Sequence, residues 1–144
     1  MTIQTILKDR DGTVIAVNAE QTVAQVIQLL SDKRIGAVPV LEAGEVVGIF
    51  SERDVIYCLA AKGAEALDYP VSAVMTSPAI TVQGDLPALT ALSLMTRRRI
   101  RHLPVVDTDG QITGFVSIGD LVKYRIDRIE TEASAMRDYI QGVT

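Results

Sequence analysis

Two serine–aspartate pairs share one spacing, Ser51-Glu52-Arg53-Asp54 and Ser117-Ile118-Gly119-Asp120, and they are the residues of this chain best placed to do chemistry. Each serine follows an apolar, β-type run and precedes a helical pattern, so it sits where a strand turns into a helix. A helix start presents unpaired backbone N–H groups and the positive end of the dipole, which together hold a phosphate, and the hydroxyl adds a donor. The aspartate one turn later can accept hydrogen bonds from two donor groups of a ligand. The same spacing is close to a capping box, and helix capping alone accounts for both residues. The two readings are compatible, because the N–H groups that need a cap are those a phosphate would use.

Other polar residues narrow the chemistry. Arg101 offers a planar fork of donors that matches a phosphate, and Arg53 could add a second positive charge. The run Arg97-Arg98-Arg99 reads as a solvated helix end, where positive charge suits the C-terminal dipole. His102 is the single histidine and Cys58 the single cysteine, too few for a metal site. A structural, hydrogen-bonded role for His102 stands beside a binding one. Cys58 has no histidine at a helical spacing and the acidic residues are scattered, so no nucleophile–base pair is present and the expectation is no enzyme activity. A formal charge of −4, with no aromatic residue in Arg97–Arg101, argues against nucleic acid as a partner.

The elements that must position these residues come as a repeat. Ile35-Gly36-Ala37-Val38-Pro39-Val40 aligns with Ile100-Arg101-His102-Leu103-Pro104-Val105 at an offset of 65. Gly48-Ile49-Phe50-Ser51-Glu52-Arg53-Asp54 aligns with Gly114-Phe115-Val116-Ser117-Ile118-Gly119-Asp120 at 66, and Val14-Ile15-Ala16-Val17 with Ala79-Ile80-Thr81-Val82 at 65. The one-residue gain falls in the turn between two strands. Each copy reads strand, helix, strand, strand, helix. Val14–Val17 is a β-branched strand. A helix beginning near Thr22 places Val23, Val26, Ile27 and Leu30 on one face. In the second copy Asp85 is the expected N-cap, with Pro87 in the first turn. Hairpins come next, Ala37–Leu41 with Val46–Phe50 and Leu103–Asp107 with Ile112–Val116, joined by Ala43-Gly44 and Asp109-Gly110, residues that tolerate positive φ.

Composition bounds the rest. Apolar residues make up 48% and charged residues 22%, enough for a real core. Neither copy buries enough surface alone, so the two are expected to share a core through their sheets. The division is residues 1–67 for the first repeat with its N-terminal segment, 68–78 for a linker, 79–126 for the second repeat and 127–144 for a helical extension. Along that last helix Val122, Ile126, Ile129, Ala133, Met136 and Ile140 recur at 4, 3, 4, 3, 4, a heptad seam flanked by charge. It could pack on its own domain or form a dimer contact. The N-terminus lacks the apolar run of a signal peptide, and no stretch is long and apolar enough for a membrane span, so a cytoplasmic chain without membrane association is expected. The lone cysteine fits a reducing compartment.

At these residues the pattern resembles a tandem pair of CBS domains, often called a Bateman module, over about residues 8 to 125. Apolar-Pro-apolar strands and Gly-h-x-Ser-x-x-Asp, twice and in order, carry the resemblance. The wording of Ser51–Asp54 and Arg101–Asp107 is similar to stand-alone bacterial CBS proteins once labelled as related to IMP dehydrogenase, without that enzyme's catalytic barrel. The resemblance implies an α/β fold of two pseudo-symmetric β-α-β-β-α repeats packed through their sheets, plus a C-terminal helix. It implies no required cofactor but a regulatory adenine nucleotide (AMP, ADP, ATP, NAD(H) or S-adenosylmethionine) in clefts between the repeats. It further implies a homodimer and transmission of ligand state to a separate protein target; the alternative is a ligand-free dimeric scaffold. The implied binding residues are Gly36, Ala37, Val38, Ser51, Arg53, Asp54, Arg101, His102, Leu103, Ser117 and Asp120. Gly36 and Ala37 would leave room for a base, and Arg101 and His102 would face phosphates. The more polar Ser51–Asp54 motif, combined with Arg101 and His102, is expected to form the stronger of two unequal clefts.

Overall fold

Continuous apolar runs in the central strands and 3–4 periodicity in the helices build the expected repeat twice. The protein, described by a computed structural model over residues 1–8, 10 and 12–142, runs α1 (Ile3–Leu7), β1 (Val17–Asn18), α2 (Val23–Lys33), β2 (Ala37–Glu42), β3 (Glu45–Ser51), α3 (Glu52–Lys62), β4 (Val82–Gln83), α4 (Ala88–Arg98), β5 (His102–Val106), β6 (Ile112–Ser117) and α5 (Ile118–Ile140). Two short 3₁₀ segments, Gly63–Asp68 and Val71–Ala73, lie between α3 and β4. Each repeat forms a three-stranded sheet, β1-β2-β3 and β4-β5-β6, with the first pair parallel and the second antiparallel. The mixed α/β fold is the expected one. The helical extension anticipated to residue 144 continues α5 without a break; Val143 and Thr144 lie outside the described residues.

Local chemistry explains most boundaries. Thr22 caps α2 through a capping box: its Oγ1 accepts from the Gln25 N–H at 3.2 Å, and Gln25 Oε1 accepts from the Thr22 N–H at 3.0 Å. Gly63 ends α3 with a φ of 65°. Ala43 and Gly44 both take positive φ, 51° and 82°, as a two-residue hairpin turn requires. Two expectations are corrected. The first strands are shorter than Val14–Val17 and Ala79–Val82, because only Val17–Asn18 and Val82–Gln83 find partners on β2 and β5. Asp85 does not cap α4. Pro87 stands at the N-cap with no side-chain bond, and the Ala88 N–H donates instead to the Met1 carbonyl at 3.0 Å.

That last bond belongs to a larger pattern. The buried residues fall in two clusters, one per repeat, rather than in the single shared core expected from size. Each cluster is completed by a segment flanking the repeat proper. Ala66 and Val71, fully buried, close the first core, with Tyr69, Val74 and Met75 packed beside them. Ile3, also fully buried, closes the second core with Ile6 and Leu7, although the sequence division grouped this segment with the first repeat. The backbone bonds match in pairs. Val71 and Ser72 N–H groups donate to Gln21 and Ala19 carbonyls at 2.7 and 3.2 Å; Ile3 and Gln4 donate to Leu86 and Gly84 at 3.0 and 2.9 Å. The N-terminal segment therefore crosses to the far repeat and interlaces the two. A side chain fully buried this way stabilises by about 1.5–3 kcal/mol. The repeats also touch through a bridge between Glu45 and Gln111.

The close approach of these segments makes two equivalent glycines unequal. A Cβ on Gly48 would lie 2.8 Å from the Thr76 backbone oxygen and 2.5 Å from Met75 Sδ, whereas one on Gly114 would press only on the flexible Leu7 Cδ1. Gly48→Ala is expected to destabilise by about 1–3 kcal/mol, the cost of overpacking, and Gly114→Ala by less than about 1 kcal/mol, since Gly-to-Ala in a strand also removes unfolded-chain entropy. Urea unfolding of both variants checks the order; equal losses would contradict the packing described.

Candidate functional site

Antiparallel pairing of β5 with β6 sets His102 opposite Ser117, and α5 begins at the next residue. A cavity of about 390 Å³ opens between this corner and the first repeat, a volume within the ~300–1,000 Å³ usual for small-molecule sites. The first repeat supplies an apolar wall of Val14, Ile15, Ile35, Gly36 and Ala37. The residues that leave the first sheet early, Val14 and Ile15, therefore become cavity lining. The second repeat supplies His102, Phe115, Ser117 and Asp120, and the N-terminal segment adds Leu7 and Arg10. His102 stacks on Phe115, ring centroids 5.4 Å apart and planes 10° from parallel. One side is flat and apolar and the other is polar and charged, which suits a ligand with an aromatic ring at one end and hydroxyls or phosphate at the other.

The start of α5 carries the polar groups. Asp120 Oδ2 accepts from the Ser117 N–H at 2.7 Å, and the Asp120 N–H donates to Ser117 Oγ at 3.2 Å. Oδ1 of the same carboxylate forms an ion pair with the Arg10 guanidinium, which also donates to the Phe115 carbonyl at 3.2 Å. Burial pushes the Asp120 carboxyl up, but the Arg10 and Ser117 hydrogen bonds outweigh it and hold the group below the usual carboxylate value of 3.8. Asp120 is thus an anion whose acceptor capacity is shared with a movable side chain. Arg10 and Asp120 side chains are 44% and 25% exposed, so solvent weakens their attraction and the pair can exchange partners.

The equivalent corner of the first repeat differs. Asp54 is 7% exposed. Its Oδ2 accepts from the Ser51 N–H at 2.9 Å and from the Ser51 hydroxyl at 3.2 Å, while Oδ1 accepts from the Thr76 hydroxyl at 2.8 Å. Thr76 is fixed by a two-way backbone bridge to Ile49, 2.9 Å in each direction. A capping box is present here as at Ser117–Asp120, but this carboxylate is enclosed, with its second oxygen held by Thr76.

Of the eleven residues anticipated for binding, Gly36, Ala37, His102, Ser117 and Asp120 line the cavity, while Val38, Ser51, Arg53, Asp54, Arg101 and Leu103 do not. Val38 and Leu103 are fully buried in their own cores. Arg53 and Arg101 are exposed. Hairpin register sets His102 beside Ser117, and this cavity gathers it with Asp120 rather than with Ser51, Arg53 and Asp54. Arg10 was missed, because it precedes the first aligned block and reaches Asp120 only through the crossing of the N-terminal segment. Thr76 was missed because it lies in the linker, outside the aligned blocks, and meets Asp54 from 22 positions away.

Two α/β units of one design, joined with a cleft between them that presents an apolar wall to a capped helix start, define a paired α/β module. The CBS domain model matches residues 11–61 and 71–127, and the chain belongs to that family. It is 34% identical over 140 residues to the mitochondrial CBS domain-containing protein CBSX3 of Arabidopsis thaliana, covering 94% of this chain and 68% of that protein. The crystal structure of the CBS-domain protein ATU1752 from Agrobacterium tumefaciens superposes with a TM-score of 0.81 at 34% identity, over 87% of this chain and 99% of that one. CBSX2, solved in complex with AMP, shares the fold at 23% identity and a TM-score of 0.76, over 88% of this chain and 96% of its own.

The His102 ring gives the site a pH signature. Burial lowers its pKa below the ordinary 6.5, and the Arg101 charge adds to this; Asp120 and Glu52 pull the other way without prevailing. The folded state thus prefers the neutral ring, so this group leaves stability untouched above pH 6.5 and erodes it as pH falls from 6.5 to the folded value. Asp120 acts in a separate, lower window, its contribution being lost only as pH falls through a value below 3.8. Urea unfolding at pH 7.5 and 5.5 is expected to show a loss in the wild type that His102→Gln abolishes. Equal losses in both proteins would place the ring in solvent.

Proposed function

We propose that this chain is a regulatory protein that binds an adenine nucleotide, AMP foremost, in the cleft between its repeats and passes the ligand state to a separate protein target. The observation that carries the reading is the cavity in which Gly36 and Ala37 face the Ser117–Asp120 helix start. The adenine ring lies against the Ile15–Ala37 wall. The ribose hydroxyls donate to Asp120, which the Ser117 bonds keep ionised and oriented. The phosphate approaches His102 and the α5 N-terminus. AMP in the related CBSX2 supports this ligand class; ADP, ATP and NAD(H) present the same adenosine end and fit the same contacts.

Ligand entry and Arg10 compete for one carboxylate oxygen. Ribose binding at Asp120 releases the guanidinium, which then turns to the phosphate as a planar donor. Because Arg10 sits on the segment that crosses between repeats, this exchange links occupancy to the position of the N-terminus, and a difference in affinity between the two arrangements is what drives regulation. The Asp54 corner, with both carboxylate oxygens engaged, serves the fold. The protein acts as a cytoplasmic homodimer without catalytic activity. Among the described residues no cluster of His, Cys, Asp or Glu could hold a metal, and no helix is long and apolar enough to cross a membrane.

Calorimetric titration of protein stripped of ligand tests the reading. AMP is expected to bind saturably. Asp120→Asn should weaken it by about tenfold or more, since a charge-accepting hydrogen bond is worth ~1.5–3 kcal/mol, while Asp54→Asn changes affinity by less than about threefold, within ~0.7 kcal/mol. Arg10→Ala should weaken AMP but not adenosine. Loss of binding with Asp54→Asn and retention with Asp120→Asn would reverse the assignment, and no heat from any adenine nucleotide would leave a ligand-free scaffold.

A further inference from the structure

The C-terminal ends of α2 and α4 concentrate positive charge. Lys33 and Arg34 end the first, Arg97, Arg98 and Arg99 end the second, and Arg101 follows two residues on. All six are exposed. They are six of the 14 cations in a chain with 18 acidic residues, so the surface elsewhere is strongly acidic. None of the six has an anionic partner: the ion pairs among the described residues are Arg10 with Asp120 and Arg128 with Glu132. Of the acidic side chains beside them, Asp32 accepts from the Gln28 amide at 2.8 Å and Glu52 packs on Gly36.

The helix dipole explains part of this. Positive charge suits the last turn of a helix, and Lys33, Arg97 and Arg98 supply it. Arg34 and Arg99 need another reason. These equivalent residues are the C-caps of α2 and α4, both left-handed with φ of 53° and 56°, a conformation that glycine takes freely and a β-carbon disfavours. Glycine would end either helix with less strain. The same strain is kept twice where it holds a guanidinium, and strain retained in this way gathers at functional sites. Both caps stand beside the cleft. Arg34 is two residues from Gly36 and Arg99 three from His102, and Gly36 and His102 line the cavity. At 3.8 Å between successive Cα atoms, the two caps lie within about 8 and 11 Å of those residues. The charge of Arg101 already acts on the His102 ring, so the field of this cationic rim reaches into the cavity.

We infer that this rim docks an acidic segment of the target protein, a run of Asp and Glu side chains, and that a nucleotide phosphate in the cleft competes with it. A guanidinium pairs a carboxylate through two parallel bonds. A short acidic run meets the rim alone, whereas a long nucleic acid or a membrane would also meet the acidic remainder of the surface, which repels it. Neither rim segment holds Phe, Tyr or an exposed large apolar residue, so neither base stacking nor insertion into a bilayer adds to the charge. The docking needs no ligand; the competition rests on the nucleotide reading above. Ligand-free protein holds its target and AMP releases it. By linkage the acidic segment lowers the affinity for AMP by the same factor, and adenosine, which lacks the charge, leaves docking unchanged.

Fluorescence anisotropy of a labelled peptide of about eight glutamates, titrated with the full chain, tests this. The peptide is expected to bind at micromolar concentration in low salt and about tenfold more weakly at ~150 mM salt. Arg97→Gln/Arg98→Gln/Arg99→Gln should weaken it by about tenfold or more, whereas removing as many exposed cations elsewhere, in Lys62→Gln/Lys123→Gln/Arg137→Gln, changes it by less than about threefold. Arg34→Gly/Arg99→Gly should weaken the peptide by about fivefold while the melting temperature holds or rises. Saturating AMP should displace the peptide and adenosine should not. Equal losses in the two triple variants, a peptide that stays bound at saturating AMP, or tighter binding of an oligothymidylate or of phosphatidylserine vesicles than of the peptide would each overturn the inference. A lower melting temperature with unchanged binding in the glycine variant would return Arg34 and Arg99 to helix capping. If AMP gives no heat in the calorimetry above, the nucleotide reading fails on that result and the competition with it, while the peptide and its variants still decide the docking.

Discussion

The Val71 N–H donating to Gln21, and its counterpart from Ile3 to Leu86, tie each repeat to a segment that flanks it rather than one that belongs to it. Without Val71 and its neighbours the first core lacks a wall, and without Ile3, Ile6 and Leu7 the second does. A unit of this size buries too small a fraction of its surface to be stable alone. The crossing of the N-terminal segment supplies the missing burial and at the same time fixes how the repeats sit. The Asp120 cleft is a consequence of that arrangement. Its walls come from different repeats, and Arg10 reaches the carboxylate only because the chain carrying it has crossed over.

One motif serves two ends because its two aspartates meet different neighbours. In both repeats the aspartate accepts from the backbone N–H of the serine that begins the helix, at 2.9 and 2.7 Å. At Asp54 the remaining oxygen is taken by a neutral hydroxyl on a segment locked by a backbone bridge, and the carboxylate is enclosed. At Asp120 it is taken by a cation on a long, half-exposed side chain. A hydroxyl held by a bridge stays; a guanidinium in solvent trades one anionic partner for another at little cost. Both helix starts keep their capping box; they differ in how firmly the second carboxylate oxygen is held.

Most of the architecture was legible because it is local or repeated. The three aligned blocks placed both hairpins, and Thr22 and Gly63 marked helix ends through chemistry that acts within one turn. Five of the residues anticipated for binding do converge on one cavity. The features that could not be read depend on pairings distant in sequence. Arg10 lies 110 positions from Asp120 and precedes the repeat, so no register points to it. Asp85 has the composition of a cap, yet the Met1 carbonyl performs that function from the far end of the chain. Val14 and Ile15 have the β-branched character of a strand but line a cavity, since side-chain preference does not tell whether a partner strand is present. The coupling of His102 to Ser117 was available from the hairpin register, but charge composition pointed to the other motif.

On this view each chain holds one exchangeable site, at Asp120, and one closed corner, at Asp54. Native mass spectrometry of the intact assembly at increasing AMP counts sites without reference to heat or variants. The series is expected to stop at one nucleotide per chain. A second nucleotide per chain, filling in the same concentration range, would contradict this division, because the Asp54 corner would then be as open as its twin.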